Sequence, residues 1–253
     1  MTDLKKRLKQ ELKRLLCRTS LFLYRQRPIK DWPPFLGRFC EITIPRGIRP
    51  RKTPEPRGAA NLNIIFELLK RTADIEGDLA ECGVFRGESL IPTAVYLKQT
   101  GKKKILFGLD SFEGFDETVH QDIRLGGERD SEKRVKGFNQ TSLEYVQNKL
   151  KTFEAESQVR LIRGFFHETL SSIQDRRFSF VHLDCDIYES YKVCLDFFYE
   201  RLTRGGIILL DEYNDPHWPG CNKAVDEFIS RKKERVFEIE RDNFIKYYLA
   251  KSS

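Results

Sequence analysis

No stretch of this 253-residue chain approaches the ~18 consecutive apolar residues that a membrane-spanning helix needs. Near the amino terminus the apolar run Leu21-Phe22-Leu23-Tyr24 falls short of the ~7-residue core of a secretory signal. None of the six cysteines (17, 40, 82, 185, 194, 221) is spaced as Cys-x-x-Cys, and most lie inside apolar stretches, as small buried hydrophobes do. Neither a disulfide framework nor a zinc site is expected, and together these absences imply a cytosolic protein. The Gly-x-Gly-x-x-Gly spacing of a dinucleotide site is also missing. So is evenly spread positive charge. Residues 1–58 carry 16 Lys and Arg against 5 Asp and Glu (+11), whereas the remainder carries 29 against 33 (−4), so the +7 net charge belongs to an extension. A basic nucleic-acid adaptor is thereby disfavoured.

What is present suits one α/β domain with an extension, since 40% hydrophobic residues suffice for a core at this length. Two acid-ended runs organise it. Phe180-Val181-His182-Leu183 leads into Asp184 and Asp186, and Ile207-Ile208-Leu209-Leu210 leads into Asp211 and Glu212. Largely apolar runs without alternation suit strands covered on both faces. Between them Tyr191, Leu195, Phe198 and Leu202 recur at helical spacing, and Thr203-Arg204-Gly205-Gly206 reads as a glycine stop and turn. A right-handed crossover sets such strands parallel and brings Asp184, Asp211 and Glu212 to one carboxyl edge, where open α/β sheets bind ligands. Carboxylates converging there repel one another unless a cation lies between them, and an all-oxygen set favours a hard ion such as magnesium. A single strand-ending Asp reads equally well as a helix cap; two such endings in succession favour a site.

Along the extension, Leu4, Leu8, Leu12, Leu15 and Leu16 stripe a basic helix over residues 3–18. It either packs on the body or on a second subunit of a homo-oligomer, or lies through residues 1–20 on an anionic membrane surface. Residues 27–58 hold most of the prolines and read as an extended arm, so the expected division is 1–58 and 59–253. The body opens with a helix over residues 61–71 and a strand over 78–82. A glycine turn from Gly83 to Ser89 then enters a helix to about Lys98. A second strand ends in Asp110, where α/β cofactor folds bind a ribose diol. Residues 113–140 are long and polar enough for a lid. Val159 to Gly164 forms a third strand and turn, followed by a short helix to about Ile173. After the acid-ended strands come a helix over 221–231 and a terminal hairpin, Arg235 to Glu240 and Phe244 to Ala250. Such a hairpin ends S-adenosylmethionine methyltransferase folds, whereas a dinucleotide dehydrogenase continues with parallel strands. The expected fold is therefore a doubly wound, mostly parallel sheet of the class I methyltransferase type.

Glu81-Cys82-Gly83-Val84-Phe85-Arg86-Gly87-Glu88-Ser89, Leu109-Asp110-Ser111-Phe112-Glu113-Gly114 and His182-Leu183-Asp184-Cys185-Asp186-Ile187-Tyr188-Glu189-Ser190, followed by Gly205-Gly206 and Asp211-Glu212-Tyr213, resemble the macrocin O-methyltransferase family. The likeness covers roughly residues 60–250 and implies methylation of a saccharide hydroxyl or glycosylated acceptor with S-adenosylmethionine and magnesium, while the +11 extension on a −4 body points to a lipid-linked or otherwise anionic acceptor. It implies that Glu81 and Gly83 line the methionine part of the cofactor, that Ser89 bonds its carboxylate and that Asp110 takes the ribose. Ser111 would border the adenine, and Gly164 would let it pack near Phe165. Asp184, Asp211 and Glu212 would hold magnesium, with Glu212 longer than the Asp often found there, and Asp186 would be the base. His167 stands where the family frequently has an acid. The competing classes are a nucleotide-cofactor oxidoreductase and the nucleic-acid adaptor.

Overall fold

A computed structural model describes residues 57–115, 120–123, 138, 141–232, 234–241 and 243–252. The expected basic helix, the proline-rich arm and most of the expected lid lie outside them. Helix α1 (Arg57–Arg71) buries Ile64, Ile65, Leu68 and Leu69, which recur three and four residues apart. The proposed domain of residues 59–253 begins within its first turn. Strand β1 (Asp78–Cys82) follows, then α2 (Leu90–Thr100), β2 (Leu106–Asp110), α3 (Leu143–Thr152) and β3 (Val159–Arg163). The short α4 (Phe166–Thr169) tightens into a 3-10 turn over Leu170–Ile173. Then come β4 (Phe178–Leu183), α5 (Tyr188–Arg201), β5 (Leu202–Leu210) and α6 (Pro219–Ser230). The hairpin of β6 (Val236–Arg241) and β7 (Phe244–Ala250) ends the chain's alternation.

The strands form one sheet in the order β3-β2-β1-β4-β5-β7-β6. β1 to β5 pair in parallel, and β7 inserts antiparallel between β5 and β6. This is the doubly wound, mostly parallel sheet with a terminal antiparallel hairpin that the sequence predicts. β4 is buried over its whole length, as a strand covered on both faces must be. Phe178 of β4 meets Phe198 of α5 edge-on, with ring centroids 5.0 Å apart. Between β1 and β4 the strand order reverses, because β1 continues toward one edge of the sheet and β4 toward the other. That leaves a crevice at their carboxyl ends. Asn243 at φ +60 supplies the left-handed backbone that a tight hairpin turn requires. No helix among the described residues is long and apolar enough to cross a membrane.

Two local expectations change. Thr203-Arg204-Gly205-Gly206 is not a turn before the strand but part of β5. Pairing with β4 steps from Phe178–Leu202 to Phe180–Ile207, so this segment bulges from the ladder, with Gly205 at φ +77. Gly205 and Gly206 instead exchange backbone hydrogen bonds with Lys251 at 2.9 and 3.0 Å, which keeps the strand intact. Helix α3 is additional to the expected elements. Ser142 caps it by accepting from the Tyr145 N–H at 3.2 Å, and Val146 and Leu150 seat it.

Candidate active site

At the switch point β1 and β4 approach almost backbone to backbone. A Cβ on Gly83 would stand 1.7 Å from the Asp184 carbonyl oxygen, and φ is +90, so glycine is required. Asp110 ties the following turn to β2. Its Oδ2 accepts from the backbone N–H groups of Val84 (2.8 Å) and Phe85 (2.7 Å), and its Oδ1 from that of Phe112 (2.7 Å). Three such bonds orient the carboxylate and still leave acceptor capacity for a ligand hydroxyl. Gly164, at φ +135, donates to the Asp110 carbonyl at 3.0 Å and delivers Phe165 to the same rim.

A cavity of about 470 Å³ opens over these strand ends. Gly83, Asp110, Ser111, Gly164 and Phe165 line it together with Asp184 and Asp186, so residues far apart in the chain share one space. Glu81, Ser89, Asp211 and Glu212 are not among its lining residues. His167 lies at the rim, its ring stacked on Phe165 with centroids 6.1 Å apart. One wall was absent from the sequence reading. Phe138 stands 5.7 Å from Phe85, 5.3 Å from Phe115 and 6.2 Å from Trp218, centroid to centroid. These rings come from the glycine turn, the segment after β2 and the start of α6, and no spacing in the sequence links them.

Below the cavity a charged network crosses the sheet. Ser89 Oγ donates to Glu81 Oε1 at 2.9 Å, and Glu81 Oε2 lies 3.6 Å from His182 Nδ1. His182 Nε2 lies 3.1 Å from Asp211 Oδ1, to which the Asn61 side chain also donates at 3.2 Å. Asp211 Oδ2 accepts from Lys246 Nζ at 2.6 Å, and the Asp211 carbonyl accepts from the same ammonium. Burial alone would lower the His182 pKa, but the hydrogen bond to Asp211 and the negative charges of Asp211 and Glu81 beside it raise it to about 10. Burial would likewise raise Asp211; Lys246 and His182 override it and hold this carboxyl well below the usual range. Lys246 is raised for the complementary reason, its burial outweighed by Asp211 and Glu212.

Asp184, Asp186 and Glu212 form a second group, with one carboxylate oxygen from each within 4.8 Å of the others. Tyr191 from α5 donates its hydroxyl to Glu212 Oε2 at 2.6 Å, and Asp186 holds a left-handed backbone at φ +61. Burial and then the neighbouring carboxylates push Asp186 and Glu212 well above the carboxylate range. Asp184 is raised to about 6 by burial and Asp211. Carboxyls in this state hold either protons or a cation, and their hard oxygens fit magnesium. Asp184 also converges with His182 and Asp211, so it joins the two groups. The expected set Asp184, Asp211 and Glu212 is thus split, with Asp211 turned to cationic partners. Successive residues at a strand end point to opposite faces, which separates Asp211 from Glu212. Lys246 was absent from the sequence reading and Tyr191 entered it only through helical spacing; for Lys246 the available signal was a single lysine inside the apolar and aromatic run of β7, where a buried charge needs a partner.

The sequence profile of macrocin-O-methyltransferase (TylF) matches residues 57–248. Mycinamicin III 3''-O-methyltransferase of Micromonospora griseorubida is 29% identical over 176 residues, 66% of this chain and 66% of that protein. Demethyldecarbamoylnovobiocin O-methyltransferase of Streptomyces niveus is 28% identical over 173 residues, 67% of this chain and 65% of that protein. The match therefore spans slightly less than two thirds of these relatives' lengths. The solved structure of the O-methyltransferase NovP is similar with a TM-score of 0.65 at 25% identity, covering 77% of this chain and 80% of that one. Profile, relatives and fold coincide over the body, and the chain belongs to the macrocin-O-methyltransferase family.

Proposed function

We propose that this protein is an S-adenosylmethionine-dependent, magnesium-assisted O-methyltransferase that acts on a hydroxyl of a saccharide or glycosylated acceptor. The observation that carries the reading is one cavity bounded by the glycine turn and Asp110 on one side and by buried carboxyls on the other. Family membership supports the reaction class and leaves the oxidoreductase and nucleic-acid adaptor readings without support.

When bound, the sulfonium supplies an electrophilic methyl group and the divalent ion makes the acceptor hydroxyl more acidic. Asp110 would take a ribose hydroxyl with its remaining acceptor capacity, and Gly164 with Phe165 would leave a flat slot for the adenine. Glu81, Gly83 and Ser89 would serve the methionine end, with Ser111 at the adenine edge. Asp184, with Glu212 and Asp211 on either side, would hold magnesium. Asp186, which lines the cavity beside Asp184, would remove the acceptor's proton. The Phe85, Phe115 and Phe138 wall would exclude water and take the apolar face of a sugar ring. Orientation inside one cavity supplies much of the acceleration, since no side chain needs to attack carbon.

Two measurements test this. Calorimetry with S-adenosylhomocysteine should show binding that Asp110→Asn weakens by about 1 to 3 kcal/mol through lost hydrogen bonds; equal binding removes Asp110 from the site. Methyl transfer from S-adenosylmethionine should then be screened over sugar nucleotides and glycolipids with and without EDTA. Full activity in EDTA would exclude the magnesium assignment.

A further inference from the structure

Lys246 reaches the acid cluster from outside the parallel strands. The antiparallel register of β5 and β7 pairs Leu210 with Tyr247, and one further step sets Lys246 against Asp211. The residue is only 8% exposed, and its ammonium donates to Asp211 twice, at the carbonyl oxygen and at Oδ2. A buried ammonium is costly unless it is paired. Here the pairing group is one that, on the reading above, a divalent ion also needs. Asp211 Oδ1 is already shared by His182 and Asn61, so the lysine takes the oxygen most open to an ion. Asp184 links Asp211 to the Asp186 and Glu212 carboxyls, so charge placed on Asp211 is felt by the whole cluster.

We propose that Lys246 is a tethered cation in this cluster: in the metal-free protein its ammonium occupies Asp211 in place of a divalent ion, and an incoming ion competes with it. The inference rests on the magnesium reading of the preceding section. Lys246 then has two opposed effects. It stabilises the carboxyls when no ion is bound, and it weakens ion binding, which keeps the ion exchangeable. It is a positioning residue, acting on Asp211 rather than on the acceptor.

The test is magnesium titration of the full chain by calorimetry, without cofactor or acceptor, repeated with manganese by electron paramagnetic resonance. Lys246→Met should bind either ion roughly tenfold or more tightly than the wild type, because a like charge a few ångströms away has been removed. Its metal-free melting temperature should fall, and saturating magnesium should restore it. Lys246→Arg keeps the charge and should show no tightening. A lysine that merely shaped the site or oriented Asp211 would give unchanged or weaker ion binding in Lys246→Met, and that result overturns the proposal while leaving magnesium binding by the wild type intact. Should neither protein bind an ion, the magnesium reading itself fails and the proposal with it. Should Lys246→Met not fold in either condition, Lys246→Gln, neutral and able to hydrogen-bond Asp211, carries the same comparison with the same expected sign.

Discussion

Asp186 and Lys149 show how burial tunes single groups toward different ends. Asp186 lines the cavity at φ +61 with its carboxyl pushed up by burial and by Asp184, so without an ion it holds a proton, and on the proposed reading it serves as the base in the ion-loaded site. Asp186→Asn is expected to slow turnover by roughly 10²-fold or more while leaving S-adenosylhomocysteine and magnesium affinity near the wild-type values. Steady-state kinetics with parallel calorimetry checks this, and a matching loss of magnesium affinity would make Asp186 a ligand instead. Lys149 of α3 is buried and donates to the Arg86 carbonyl of the glycine turn at 2.8 Å. Burial lowers its pKa to about 8 from an ordinary 10.5. Between about pH 8 and about pH 10.5 the unfolded chain therefore binds more protons than the folded one, and stability contributed by this group rises with pH across that window. Below it both states are protonated and the cost of the buried charge stays in full. Urea unfolding across this range should show the rise in the wild type and its loss in Lys149→Met.

Among the elements, α3 is the support of the glycine turn, since Lys149 bonds Arg86 and the Thr141 hydroxyl just before the helix donates to the Phe85 carbonyl at 2.7 Å. Its amino end depends on one side chain, Ser142. Ser142→Ala should cost about 0.5 to 2 kcal/mol in urea unfolding, the usual range for losing a cap. Cofactor affinity should fall with it if α3 holds the turn, so a mutant that loses stability but keeps full affinity would detach α3 from the site. The β6–β7 hairpin has a comparable double role. It closes the sheet beside β5, and its register delivers Lys246 to Asp211.

Across the whole molecule, charge is divided between a +11 segment over residues 1–58 and a −4 remainder. The cofactor, metal and base residues proposed above all belong to the remainder, so a protein of residues 57–253 should bind S-adenosylhomocysteine as the full chain does. If the leucine-striped basic segment meets a membrane, the full chain should sediment with anionic vesicles in a salt-sensitive manner and a chain lacking residues 1–20 should not. Equal, weak sedimentation of both would assign the segment to packing or to a second subunit.

The amino-acid sequence by itself determined the architecture and which acids close the strands. Largely apolar runs closing on Asp110, Asp184 and Asp211 mark buried parallel strands, and the alternation of helix and strand leaves few topologies open. Gly83 and Gly164 were legible because a turn directly after a strand needs backbone that other residues resist. Three things were decided only in the tertiary structure. Lys251 turns Thr203–Gly206 from a stop into a bulge, Phe138 completes a wall with Phe85 and Phe115, and Lys246 pairs with Asp211. Each depends on a partner that strand order and register bring from a distant part of the chain, whereas local spacing records only the period of an element and the chemistry at its ends.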